Sequence, residues 1–185
     1  MEIALIILGV ILFFLVSWFI RVQNKLVNLD ELCENGLSQI GIQQTSRWDV
    51  LNSMADLVSQ YSEYEGRTLK EIIQQRNYSS KFGSASELEM NELQIKEALS
   101  KLSVVVEAYP ELKSNGLYLN TMEAMRQYEE NVRYSRMMYN DVVTKFNREI
   151  RLIPVCFIAK ILGFVKKDYL DVDTKKVDMP NLKRI

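Results

Sequence analysis

The stretch from Ile3 to Ile20, IALIILGVILFFLVSWFI, runs for eighteen residues without a charge. Eighteen helical residues rise about 27 Å, close to the ~30 Å hydrocarbon core of a bilayer. In lipid a single segment must satisfy every backbone group internally, which leaves the helix as its only spanning form. Leu, Ile, Val and Phe fall on every face of that helix, unlike the one-sided pattern of a soluble amphipathic helix. Trp18 and Phe19 stand at its C-terminal end, where an indole suits the membrane interface, and Arg21 stops the run. A cleaved signal peptide needs a basic start and a small-x-small site. Here Glu2 follows Met1, and the run ends Ser17-Trp18-Phe19-Ile20. The expectation is an uncleaved anchor over residues 1–20, with Ile3, Trp18, Ile20 and Arg21 as its marks. Arg21 and Lys25 lie beyond one end and Glu2 at the other, so the positive-inside rule predicts a single-pass protein of the cell membrane with its bulk in the cytoplasm.

The remaining residues suffice for one domain. Charged residues make up 25% and apolar ones 48%, and only 3 Pro and 7 Gly interrupt them, a balance that favours helix. A net charge of −1 and the absence of a basic stripe with interleaved aromatics exclude a nucleic-acid partner from the expectation. There is no histidine, which removes the commonest general base and metal ligand. Cys33 and Cys156 lack CxxC spacing; the expectation is two reduced, part-buried thiols, with a disulfide between them as the alternative.

Apolar residues after the anchor recur at helical spacing. A first helix is predicted from about Arg21 to Glu65, with a seam of Cys33, Leu37, Ile40, Leu51, Met54, Val58 and Tyr61. Gln44 and Arg47 interrupt that seam, and Trp48 beside them is expected to take over the packing. Gly66 reads as a C-cap and Thr68-Leu69-Lys70-Glu71 as a capping box opening a short second helix to about Asn77. Tyr78 to Ser84 reads as a loop, and Ser84-Ala85-Ser86-Glu87 as a second capping box. A third helix carries Leu88, Ile95, Leu99, Leu102, Val106 and Tyr109, and Pro110 ends it. Pro110 to Gly116 is the next turn. The fourth helix has the cleanest line, with Tyr118, Met122, Met125, Glu129, Val132, Arg136, Tyr139, Val143, Phe146, Ile150 and Ile153 in steps of four and three. Glu129 and Arg136 are its two charges, expected to snorkel at the seam edge. No strand alternation appears. Short connections then predict an all-α fold, with the transmembrane helix followed by an up-and-down antiparallel four-helix bundle with a long first helix. The bundle would occupy residues 21–153, and an apolar segment with a charged tail residues 154–185.

In chain order, Ser38-Gln39-Ile40, Arg47-Trp48-Asp49, Tyr61 with Glu65, Thr68-Leu69, Ala98-Leu99, the run Val105 to Asn115 (VVEAYPELKSN), Glu130-Asn131, Tyr139-Asn140, Phe146-Asn147, Ile153-Pro154 and Gly163-Phe164 match the blocks of the LemA family. The Tyr-Pro-x-Leu-Lys-x-Asn run and the aromatic-Asn pairs are the distinctive ones. The sequence resembles that family from about Leu26 to Tyr169. One departure is Leu51-Asn52-Ser53-Met54, where family members carry Ile-Pro-Asn-Leu, so the helix-kinking proline is missing. The resemblance implies a single-pass bacterial membrane protein with a four-helix bundle, without an established enzymatic activity and without catalytic residues to carry over.

No constellation carries recognisable chemistry: there is no metal or acid/base spacing, no Gly-rich phosphate loop and no nucleophile elbow. The expectation is therefore no cofactor, no metal and no small-molecule substrate. Four polar residues stand out as interaction or structural candidates. Asn140 and Asn147 share a face seven residues apart and are expected to bond polar groups of the first helix such as Gln39 or Gln43. Arg47 and Asp49 flank Trp48 as surface charges or as half of an inter-helix pair. Val155 to Val165 (VCFIAKILGFV) reads either as a short helix closing the bundle or as an interfacial membrane contact. The main functional expectation is a non-catalytic, membrane-tethered helical scaffold or adaptor, with the bilayer and a protein partner or a second copy as its contacts. The rival classes are a membrane-associated enzyme subunit using carboxylates and arginines, and a protease adaptor or sensor. A pocket lined by converging Glu, Asp and Arg would favour the enzyme, and a solid bundle the scaffold.

Overall fold

The computed structural model describes residues 1–74 and 84–171, apart from the side chain of Ile72. The predicted loop from Tyr78, the end of the second helix at Asn77 and the tail charges from Asp173 to Arg184 lie outside the described residues. Every element within them is a helix. These are α1 (Glu2–Ser59), α2 (Glu63–Gln74), α3 (Ala85–Ala108), α4 (Pro110–Lys113), α5 (Gly116–Glu149) and α6 (Val155–Ile161). The chain divides into two compact units, one of residues 1–35 and 139–169, the other of 36–138 and 170–185.

In the second unit, the seam positions Leu51, Met54 and Val58 of α1 meet Leu69 and Ile73 of α2, Ile95, Leu102 and Val106 of α3, Leu112 of α4 and Met125 of α5 in one apolar core. The unbroken passage of α1 through Leu51–Met54 accords with the missing proline. The first reversal differs from the sequence expectation. α1 stops at Ser59, and Ser62, not Thr68, opens the next helix: its hydroxyl accepts from the Glu65 amide at 3.4 Å as an N-cap and donates to the Glu65 carboxylate. Thr68 lies inside α2 and bonds back to the Tyr64 carbonyl. Gly66 also lies inside α2, and caps nothing. It is needed because α1 passes close by: a Cβ there would stand 2.6 Å from Ser59 Cα and 2.8 Å from Ser59 Cβ. Gly66→Ala is therefore expected to destabilise by about 1–3 kcal/mol as an overpacked site, despite alanine's better helix propensity. A denaturation midpoint at or above the parent's would contradict this close approach.

Ser84 caps α3 where the second box is expected, with the Glu87 amide donating to Ser84 Oγ at 3.3 Å. α3 ends before Pro110, and Pro110 starts the one-turn α4, where its fixed φ and missing N–H cost nothing. The family blocks around this corner hold one another. The Tyr109 hydroxyl donates to Glu65 at 3.0 Å, Asn115 Nδ2 donates to the Tyr61 hydroxyl at 2.9 Å, and Leu112 is fully buried beneath them.

The first unit contains residues 1–35 of α1, α5 from Tyr139, and α6. Val155 and Ala159 of α6 pack on Leu26, with Val22, Ile150 and Phe164 around them. Ion pairs join Lys25 to Glu149 at 2.7 Å and Lys167 to Asp30 at 2.6 Å. α6 follows a cis Ile153–Pro154 bond and ends in a Schellman turn. Gly163 takes φ +78°, and the Phe164 amide reaches the Ala159 carbonyl at 2.9 Å. Ile153, placed on the fourth seam by its spacing, falls after the end of α5 and is exposed. Residues 3–20 lie along α1 with their apolar side chains outward, and this part of the helix is long and apolar enough to cross a membrane. Cys33 is buried, Cys156 is half-buried, and both thiols are free.

Candidate functional site

Three seams carry polar residues into the second unit at one level. Gln44 and Arg47 sit at the α1 seam, Glu92 at the α3 seam between Leu88 and Ile95, and Arg136 at the α5 seam after Val132; all four are buried. Arg47, only 1% exposed, sends Nη1 to both Glu92 oxygens at 2.8 Å. Gln44 Nε2 donates to Glu92 Oε2 at 3.1 Å and to the Leu88 carbonyl at 3.0 Å. Asn91 Nδ2 donates to Gln44 Oε1, and Trp48 Nε1 donates to Asn91 Oδ1, each at 2.8 Å. Arg136 pairs with Glu89 at 3.0 Å, donates to the Asp171 carbonyl at 2.7 Å and stands 4.0 Å from Glu92.

Burial alone would raise the Glu92 carboxyl. The charge and hydrogen bonds of Arg47, joined by Gln44 and Arg136, outweigh it and hold the group below the ordinary glutamate value. Glu92 is thus a fixed anion, unsuited to a general acid's role. Among the described residues, Arg47 Nε and Arg136 Nε are buried donors without an acceptor, a debt of about 1–3 kcal/mol each by general measure.

This polar layer borders a cavity of about 450 Å³. Arg47, Glu92, Val132 and Arg136 lie on its inner side, and the exposed Lys96, Arg126, Glu130 and Arg133 with the half-buried Glu129 complete the lining. Five cationic side chains thus face three carboxylates. Arg126 is itself held by Glu123 and Glu130 on α5. The lining contains neither a hydroxyl, thiol nor imidazole nucleophile, and no cluster suited to a metal occurs among the described residues. What it offers is guanidinium and ammonium groups beside the Arg47–Glu92 ion pair, which suits holding an acidic group.

Of the residues singled out by sequence, Arg47 belongs to this site and Asp49 does not. Asp49 is exposed, two residues on and away from the layer. Arg136 is not a snorkelling edge residue: it is buried and bridges two glutamates. Asn140 and Asn147 belong to the first unit. Asn147 does not bond Gln39 or Gln43. It clasps the Lys167 main chain, with Nδ2 donating to the carbonyl at 2.8 Å and Oδ1 accepting from the amide at 2.9 Å. Asn140 is half-buried on the same helix. Nearby, burial, helped by Cys33 and Asp168, pushes the Tyr139 hydroxyl up to about 12, and this hydroxyl donates to the Asp168 carbonyl. Ile3, Trp18, Ile20 and Arg21 all lie on the outward-facing part of α1. Sequence reasoning passed over Glu92 altogether, although four residues after Leu88 and three before Ile95 is the seam position.

Comparison with known proteins places the sequence among relatives. Protein LemA of Metamycoplasma hominis is 30% identical over 148 residues, covering 76% of this chain and 67% of that protein. Magnetosome proteins MamQ 2 and MamQ 1 of Paramagnetospirillum magneticum are each 33% identical over 72 residues. Those matches span 39% of this chain and 26% of either magnetosome protein. The sequence profile of the LemA family matches residues 36–183, most of the chain, and the chain belongs to the LemA family.

Proposed function

We propose that this chain is a single-pass, membrane-anchored helical adaptor. Residues 1–20 cross the bilayer, and the other helices form an up-and-down four-helix bundle on the cytoplasmic side that gathers protein partners. The observation that carries the reading is α1 itself. Its uncharged run over residues 3–20 faces outward, with none of the window buried among the described residues, while the same helix supplies Leu51, Met54 and Val58 to a packed core. An uncovered apolar surface of that length is stable in lipid and not in water. Arg21 and Lys25 favour the cytoplasmic orientation. Partner binding falls to the cationic cavity, which fits an acidic segment of another protein.

The same cavity, with Glu and Arg converging, is what would favour a membrane-associated enzyme subunit. Its lining lacks an Asp and a nucleophile, and Glu92 is locked in an ion pair, so binding accounts for it better than turnover. The full-length protein is expected to stay in the membrane pellet after alkaline carbonate, and a photocrosslinker at Lys96 to join a defined protein in those membranes. Full-length protein in the carbonate supernatant would end the anchored reading; crosslinks confined to the chain itself would end the adaptor reading.

A further inference from the structure

The short helix after Pro154 has two faces. Val155, Ile158 and Ala159 point inward, the first and last onto Leu26. Phe157 and Ile161, one helical turn apart, point outward and are 64% and 78% exposed. Ile153 before the helix and Val165 after the Gly163 turn continue this outward apolar surface. Helix burial explains the first face and leaves the second uncovered.

Two further observations bear on what would cover it. The first is position. The inward face of α6 rests on Leu26 and its neighbour Val22, and Val22 comes two residues after the last residue of the apolar run, Ile20. If α1 spans the bilayer, this level of α1 emerges among the lipid headgroups, and α6 is held there with it. The second is charge. From Ile150 to Lys167 the chain carries Arg151, Lys160, Lys166 and Lys167 and not one carboxylate. Arg151, Lys160 and Lys166 are exposed, and Lys167 is the one tied to Asp30. A second copy docking by this face would bring like charges together. An anionic lipid surface would meet them with opposite charge while receiving the apolar side chains.

We infer that α6 and the turn after it form a second membrane contact, an interfacial foot that inserts Phe157 and Ile161 at the headgroup level of an anionic bilayer. This rests on the reading of residues 1–20 as a membrane span. The Schellman turn serves the foot directly: it lets Phe164 return to the Leu26 core while Val165 stays outside.

The test uses full-length protein in phosphatidylglycerol-containing vesicles with a lipid bearing a diazirine near the top of its acyl chain. After photolysis, labelled residues are mapped by mass spectrometry. Label is expected within residues 3–20 and again within 153–165. Phe157→Glu with Ile161→Glu should lose the second label and keep the first, both side chains being exposed and outside the core. Label confined to 3–20 in the unaltered chain would overturn the foot while leaving the anchor intact. A cross-link between two chains at Phe157 in place of lipid label would overturn it in favour of self-association. Label at 153–165 without label at 3–20 would support the foot and sink the anchor, so the two readings fail separately.

Discussion

Phe146→Ala is expected to lower the unfolding free energy by roughly 3–5 kcal/mol, the usual cost of emptying a large aromatic site in a tight core. The Phe146 side chain is fully buried. Its ring meets the edge of Phe164 with centroids 6.0 Å apart at 75°, and the Lys167 ammonium lies 5.8 Å from its centre. Those neighbours come from the segment after α6, which Asn147 clasps at Lys167. Removal of the ring leaves a void that the clasped segment cannot readily fill. Arg148, the next-but-one residue and exposed, supplies the control: Arg148→Ala should stay within about 0.5 kcal/mol. Denaturant unfolding of the full-length protein in detergent measures both. Equal, small shifts at the two positions would show that this ring does not hold the first unit together.

Glu92→Leu should cost about as much, on the order of 3–5 kcal/mol, for a different reason. It leaves the Arg47 guanidinium buried at 1% exposure without its carboxylate partner. Arg47→Met combined with Glu92→Leu should recover most of the loss, because the apolar pair needs no desolvation of charge. The same pair predicts an acid limb. The folded carboxyl of Glu92 titrates below its unfolded value of about 4.3, so its contribution is complete above that pH. It is lost as pH falls through the folded value. Acid titration of stability should therefore show a shallower fall in the Glu92→Leu chain than in the parent. A single variant as stable as the parent, with an unchanged acid limb, would mean the pair contributes nothing to the fold.

Much of this layer was written in the spacing. In α1 the steps 40, 44, 47, 51 are unbroken, and so are 88, 92, 95 in α3 and 125, 129, 132, 136, 139 in α5. Polar residues at those steps are seam residues, and a buried seam charge calls for a partner on another helix. Which partner is not legible, because the pairing of Arg47 with Glu92, 45 residues away, depends on how the helices rotate and stagger against one another. The reversal after α1 shows a second limit. Ser62-x-x-Glu65 and Thr68-x-x-Glu71 satisfy the same capping pattern six residues apart. Local propensity cannot choose between them; the tertiary approach of Ser59 to Gly66 does. Asn147 shows a third. An amide at a seam advertises that it needs partners, but its partner here is a peptide group twenty residues on, brought back by the turn at Gly163. Val155 to Ile161 is a helix, as one of its two readings had it, and its outward face left the other reading open.

The first unit also fixes an order of assembly. Its ion pair between Lys25 and Glu149 joins residues 124 positions apart, and its apolar contacts between Leu26 and Val155 span a comparable stretch. The partners of Arg47 and Tyr61 lie within 45 and 54 positions. Closing a longer loop costs more chain entropy, though only logarithmically, and no such closure can begin before the distant strand of chain has been made. A ribosome that has delivered Gly36 to Met138 has supplied what the second unit's apolar core needs. Leu26 then still waits bare beside the nascent chain until α5 is completed and α6 emerges to cover it. Leu26, early in the chain, is thus among the last core residues to be enclosed, and a message cut short between Met138 and α6 yields a product with its second unit's apolar core supplied and its first unit open.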